Sequence, residues 1–192
     1  MYNIVVTGVG SIIGYGIIDG LRKSGLPVHI TGIDIYEDAY GGFCSDRFVQ
    51  GVRADDPGFI DFINDLTDQY NIDLIIPGIE PDLYKLWSNR DQVKARVVLG
   101  HVLCMQLAKD KLFTFRHLQS HDISLIPTLH DVPFDQCAAE LGIPFLLKPI
   151  LSSASKGIEH ISTAEEFDFF TRRNKGQCIY QRIIGTMEEE YT

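Results

Sequence analysis

The chain has 192 residues, 45% hydrophobic and 22% charged, an ordinary globular composition with room for one large domain or one domain and part of another. No apolar run reaches the roughly 18 residues of a membrane-spanning helix, and Met1 to Val6 runs straight into glycines without the basic start of a signal peptide. A net charge of −9 repels phosphate backbones and argues against nucleic acid as a partner, so a soluble, cytoplasmic protein with no membrane partner is expected.

The first half alternates strand and helix. Asn3 to Thr7 (NIVVT) reads as a buried parallel strand, and Gly8 to Gly14 as a tight turn. Ile13, Ile17 and Leu21 recur at helical spacing, and Gly25 ends that helix. Val28 to Ile35 is a second strand. Asp56-Pro57 starts a helix, with Asp as cap and Pro in the first turn, and Phe59, Ile63, Leu66 and Tyr70 form its apolar stripe. Asp73 to Pro77 is a short strand, Leu83, Leu86 and Trp87 mark a helix after Pro81, and Arg96 to Leu99 is a further strand. Such alternation predicts an α/β fold, a Rossmann-like parallel sheet with helices on both faces.

The rhythm changes near Gly100. Val102 to Gln119 reads as helical, broken at Lys109-Asp110, and Asp122 to Thr128 as a loop. Phe134, Cys137, Ala138 and Leu141 suit a short helix, and Pro144 to Lys148 (PFLLK) a strand. Leu151 to Gly157 (LSSASKG) is a small-residue loop. Ile158 to Ile161 is a strand, Thr163 with Glu166 makes a capping box for a helix carrying Phe167 and Phe170, and Cys178 to Ile184 is one more strand. This is an α+β pattern. It divides the chain into a Rossmann-like domain over 1–100, a helical connection over 101–124 and an α+β subdomain over 125–192.

Gly8, Gly10 and Gly14 follow a strand and open a helix, and Asp34 ends the next strand. In a dinucleotide site, such glycines let backbone amides approach a pyrophosphate and such an acid accepts from a ribose hydroxyl. Close packing of strand on helix demands the same glycines. The spacing is GxGxxxG, and Ile12 and Ile13 are large for a phosphate cradle, which favours packing. An NAD(P)-binding oxidoreductase or epimerase domain stays as the alternative, although no Tyr-x-x-x-Lys pair accompanies it. Cys44, Cys104, Cys137 and Cys178 are scattered without metal-ligand spacing, which points to reduced thiols and no zinc. No Walker A pattern occurs.

Four features come in order: Asp110-Lys111 at a helix start, Leu146-Leu147-Lys148-Pro149 ending a strand, the loop Ser152 to Gly157, and QRIIGTMEEEYT from Gln181. With VTGVGSIIGYGI, GIDI and DLIIPGIEPD before them, they resemble the ATP-grasp superfamily, and within it the carbamoyl-phosphate synthase large chain and related carboxylate–amine ligases. The resemblance covers nearly the whole chain: a pre-ATP-grasp domain, then the first part of an incomplete ATP-grasp subdomain. It implies that Lys111 and Lys148 touch nucleotide phosphate, Lys148 also nearing the adenine. Ser152, Ser153, Ser155 and Gly157 then belong to the phosphate loop, Gln181 and Ile183 to the segment that reads adenine, and Glu190 (or Glu188) holds the ribose. The loop has one glycine where the family often has two or more, and Gln181 stands where the family usually has Glu.

What the resemblance implies for function is an ATP-dependent ligase that makes an acyl-phosphate from a carboxylate or bicarbonate, then lets an amine or ammonia attack it. Catalysis there rests on positioning and charge neutralisation. Gly10, Ser11 and Glu80, at the carboxyl edge of the first sheet, are candidates for the carboxylate or amine substrate, with Asp82 beside them. Magnesium would accompany ATP, with ligands expected beyond Thr192, so the sequence reads as a fragment inactive by itself. A homo-oligomer is compatible with the resemblance. A non-catalytic binding module is a further alternative, kept open by Gln181 and the sparse loop glycine.

Overall fold

The computed structural model describes residues 1–152 and 155–185. The chain divides into two compact units, Met1–Leu99 and Gly100–Thr192.

In the first unit the order is β1 (Tyr2–Thr7), α1 (Ile12–Lys23), β2 (Val28–Asp34), α2 (Tyr40–Phe43), β3 (Arg47–Gln50), α3 (Phe59–Tyr70), β4 (Leu74–Pro77), α4 (Glu80–Ser88) and β5 (Arg96–Val97). The five strands form one sheet in the order β3-β2-β1-β4-β5, every pair parallel. Successive side chains of β1 serve opposite faces. Val5 joins Phe59, Ile63, Leu66 and Leu86 on one side, while Ile4 and Val6 join Val9 and Ile18 on the other. A strand with both faces covered has no polar alternation, which is why NIVVT reads as continuous apolar sequence.

Three glycines let the β1–α1 turn close. Gly8 has φ +62°, in the left-handed region. A Cβ on Gly14 would lie 2.2 Å from the Gly8 carbonyl oxygen, and one on Gly78, after β4, would lie 2.4 Å from the Thr7 carbonyl oxygen. Ser11 caps α1, its Oγ accepting from Gly14 N at 2.9 Å. The backbone conformation at Gly8 and backbone approach at Gly14 and Gly78 therefore require these glycines.

Three local features differ from the sequence expectation. Helix α3 starts at Phe59 with Gly58 as its cap; Asp56 instead closes the preceding turn, its carboxylate accepting from Gly58 N at 2.7 Å. Helix α2 and strand β3 carried no sequence signal, since one is a single turn containing two glycines and the other a four-residue edge strand. Thr128, expected as the end of a loop, starts the short strand Thr128–Leu129.

The second unit runs α5 (Val102–Lys109), α6 (Lys111–Gln119), β6 (Thr128–Leu129), α7 (Phe134–Leu141), β7 (Phe145–Pro149), β8 (Glu159–Ile161), α8 (Ala164–Arg173) and β9 (Cys178–Arg182). Asp110 ends α5 and caps α6, accepting from Phe113 N at 2.8 Å, where the break was expected. The α8 capping box is also present. The strands form an antiparallel sheet in the order β6-β9-β7-β8. One face carries a core of Cys137, Leu141, Phe145, Leu147, Phe167 and Tyr180, where α7 and α8 pack. Phe145, Phe167 and Tyr180 meet with centroids 4.9–6.3 Å apart.

The glycines of α1 differ in what they can accept. Gly14→Ala is expected to destabilise the protein by about 1–3 kcal/mol through overpacking. Gly16→Ala, with nothing within 4 Å of an added Cβ, is expected to stabilise it by about 0.4–1 kcal/mol. Urea denaturation of both variants checks the pair.

Candidate functional site

The face of the second sheet opposite its aromatic core is polar in the middle. Phe145 and Leu147 of β7 are buried in that core, so Leu146 and Lys148 point the other way. The register sets Lys148 against Ile179 and Leu146 against Gln181, which puts Gln181 diagonally across from Lys148 on the same face. Lys148 Nζ donates to Gln181 Oε1 at 2.6 Å. Gln181 Nε2 donates to Thr128 Oγ1 at 3.0 Å, and Thr128 Oγ1 donates to the Ile126 carbonyl at 2.8 Å. Burial lowers the Lys148 pKa.

These groups line a cavity of about 460 Å³. Lys111 opens α6, and Thr114, Phe115 and Leu118 follow it on the same helix face and line the cavity with it. Lys111 Nζ donates to Ser152 O at 2.7 Å and to Ser152 Oγ at 2.9 Å, joining the helix start to the segment after β7. Ser152 and Ser155 line the cavity as well, and Ile126, Ile158 and Ile179 add apolar wall. Gly157 has φ +75°, and a Cβ there would come within 2.9 Å of Pro149. Two ammonium groups beside a half-apolar cavity of this size suit a ligand with a flat apolar part and an anionic part.

Of the residues expected at a nucleotide site, Lys111, Lys148, Ser152, Ser155 and Gln181 thus share one cavity. Gly157 and Ile183 are described but do not line it. Ser153, Glu188 and Glu190 lie outside the described residues. The sequence reading missed Thr128, Thr114, Phe115 and Leu118. The last three were signalled by their helical spacing from Lys111; Thr128 was not, because only the strand pairing Thr128↔Gln181 brings it in.

The first unit has its own cavity, about 330 Å³, at the carboxyl edge of the parallel sheet, lined by Gly8, Asp34, Arg53, Ile79 and Asp82 among others. Gly10, Ser11 and Glu80 do not line it. Asp34 is engaged with its own backbone: Oδ2 accepts from Gly10 N at 2.7 Å and Oδ1 from Tyr36 N at 3.1 Å. Each carboxylate oxygen thus already orders the turn by accepting from a backbone amide, and Ser11 Oγ takes the Gly14 amide that a phosphate would otherwise meet. Both facts argue against a dinucleotide at this turn. Asp82 is 6% exposed. Burial raises its pKa; the nearby Thr7 hydroxyl opposes this without making a well-formed hydrogen bond, and the Asp34 charge adds to it. Among the described residues, no group of His, Cys, Asp or Glu could hold a metal ion, and no helix is long and apolar enough to cross a membrane.

No family model matches the chain. It is 26% identical over 194 residues to the formate-dependent phosphoribosylglycinamide formyltransferase of Prochlorococcus marinus (strain MIT 9301), covering 98% of this chain and 47% of that protein. Among solved structures, N5-carboxyaminoimidazole synthetase from Staphylococcus aureus, complexed with ADP, matches with a TM-score of 0.70 at 19% identity, covering 97% of this chain and 48% of that one. The biotin carboxylase domain of Hydrogenobacter thermophilus 2-oxoglutarate carboxylase, complexed with MgADP, ADP and bicarbonate, matches with a TM-score of 0.71 at 16% identity, covering 95% and 44%. The chain spans about half the length of these proteins. The likenesses bear out the expected fold, a Rossmann-like parallel sheet followed by an α+β subdomain, and the proteins matched are ATP-grasp enzymes.

The Lys148 environment has a pH signature. Lys148 binds its proton less tightly in the folded chain than in the unfolded one. Between its depressed folded pKa and its ordinary value of 10.5, the unfolded chain holds more protons, so stability rises with pH across that window. The urea midpoint of the protein relative to Lys148→Met is expected to climb as pH is raised from neutral toward 10.5. A flat difference contradicts the burial of the ammonium.

Proposed function

We propose that the second unit binds ATP in the cavity beside Lys111, Lys148 and Gln181, and that the chain is the N-terminal part of an ATP-dependent carboxylate–amine ligase. The observation that carries this reading is Lys148, a lysine partly buried on a central strand with its ammonium turned into an apolar-walled cavity. A solvated lysine gains nothing from such a place, whereas one meeting a phosphate chain does. The fold likeness to proteins solved with ADP supports it further.

In this reading Lys111 and Lys148 neutralise phosphate charge. Ser152, Ser153, Ser155 and Gly157 bring hydroxyls and backbone amides to the phosphates, Gln181 and Ile183 meet the base, and Glu190 holds the ribose. Gly10, Ser11 and Glu80 contribute to the carboxylate or amine substrate. The reaction is proposed for a chain of the relatives' length. There the γ-phosphoryl of ATP passes to a carboxylate oxygen, giving an acyl-phosphate and ADP; an amine nitrogen then attacks the acyl carbon and phosphate leaves. Magnesium would accompany ATP, and among the described residues no group of three or more His, Cys, Asp or Glu could hold it. The formate-dependent relative and the neighbour complexed with bicarbonate support a small acid as the carboxylate. Bicarbonate with ammonia is the carbamoyl-phosphate synthase-like form of the proposal. A cytoplasmic enzyme, as a homo-oligomer or not, fits this chemistry.

The test is a thermal-shift titration with MgATP, ADP and NADH. ATP or ADP at about 100 times its dissociation constant is expected to add roughly 2.7 kcal/mol of stability, and NADH none. Lys148→Ala or Lys111→Ala is expected to weaken ATP by roughly 1.5–3 kcal/mol, the worth of a hydrogen bond to a charged group. A shift with NADH that survives Lys148→Ala contradicts the proposal.

A further inference from the structure

Four charged side chains line the cavity of the first unit: Asp34, Arg53, Asp55 and Asp82. Arg53 is already paired. Its Nε donates to Asp55 Oδ1 at 3.0 Å, and both of these side chains are mostly exposed. That leaves Asp34 and Asp82 as the uncompensated charges of the cavity. The Asp34 carboxylate is supported by the Gly10 and Tyr36 amides. Asp82 has no such support. It is 6% exposed, the Asp34 charge repels it, and the Thr7 hydroxyl beside it, itself buried, makes no hydrogen bond. An acid in the first turn of a helix ordinarily faces water and complements the helix dipole. Asp82 stands in the first turn of α4, yet it is turned inward to the cavity wall.

A carboxylate taken out of water costs stability unless a partner compensates it. Here the missing partner is a cation, and the walls select its kind. Ile33, Phe59 and Ile79 give the cavity apolar sides. A metal ion would need several oxygen ligands, and among the described residues no group of three or more His, Cys, Asp or Glu could hold one. An organic ammonium brings its own apolar body, and about 330 Å³ takes a small molecule. We propose that this cavity binds a small organic amine, with Asp82 as the counter-ion of its ammonium group and Asp34 as the second negative charge. An ammonium facing two carboxylates keeps its proton, so its nitrogen has no electron pair with which to attack an acyl carbon. The bound group is therefore a recognition handle and not the nucleophile of a ligation. The proposal goes beyond the nucleotide reading of the second unit and does not depend on it.

The experiment is an NMR titration of the backbone amides at neutral pH. The probes are propylamine, pentylamine and phenethylamine, each beside the alcohol of the same shape. At least one amine is expected to shift the amides of Gly8, Asp34, Arg53 and Asp82. It is expected to bind about tenfold or more tightly than its alcohol, the worth of a hydrogen bond to a charged group. Asp82→Asn, which keeps the shape and removes the charge, is expected to cancel that advantage. The same variant is expected to raise the urea midpoint, because it relieves a buried charge that the empty cavity leaves unpaired. Asp61→Asn makes the same charge change at an exposed acid of α3 and is expected to alter neither the binding nor the midpoint. An acid kept only for the fold would lower the midpoint when replaced by Asn. That result overturns the proposal, as does an amine advantage that survives Asp82→Asn or is lost equally in Asp61→Asn. Equal binding of amine and alcohol, binding of no amine, or calcium chloride shifting these amides in the amine's place overturns it too. Each of these failures leaves the cavity of the second unit and its nucleotide reading standing.

Discussion

The alternation of β7 governs the second unit. Phe145 and Leu147 fill an aromatic core, and the same two-residue period turns Lys148 out of it. β7 lies inside its sheet, between β8 and β9, so its register is fixed on both edges. A slip of one residue would bring the Lys148 ammonium against Phe167 and Tyr180 and turn Phe145 and Leu147 out of the core, a burial of charge that no group there could compensate. The core that holds the strand thus also aims the lysine. It leaves the ammonium half out of water, with one protein acceptor in Gln181 and an open cavity beyond.

The rest of the cavity is built onto that arrangement. Asp110 caps α6, which fixes where Lys111 begins the helix, and the helical period then lines up Thr114, Phe115 and Leu118 behind it. The Lys111 amide donates to the Ile150 carbonyl while its ammonium reaches Ser152, so helix and post-β7 segment are joined twice. In the first unit, close backbone contact at Gly14 and Gly78, with the left-handed turn at Gly8, lets α1 sit hard against the sheet. Its glycines and Asp34 make the dinucleotide pattern for a different physical reason: the acid orders the turn by accepting from Gly10 and Tyr36.

Much of this was legible in the sequence because it is periodic or punctuated. NIVVT and DLIIP announce strands covered on both faces, the Phe59 to Tyr70 stripe announces a helix, and Asp110 and Thr163 announce caps. Elements without a period were silent: α2 with its two glycines, and β3, a four-residue edge strand whose Arg47 lies over the Tyr70 ring. Asp56-Pro57 carried a cap signal, yet Asp56 closes the turn before the helix, a use of the same carboxylate one step earlier in the chain. The order of Lys111, Lys148 and Gln181 pointed to a common site. Strand register, which no local pattern states, brought Thr128 to Gln181 and set Gln181 diagonal to Lys148.

The proposed nucleotide belongs to the second sheet's open face and not to the glycine turn of the first. Backbone hydrogen exchange with and without ADP locates it directly. Added protection is expected in the segments around Lys111–Leu118, Lys148–Ser152 and Ile179–Ile183, with no change at Gly8–Gly14 or Asp34–Tyr36. Protection confined to Gly8–Gly14 and Asp34–Tyr36 would contradict it and move the nucleotide to the first unit.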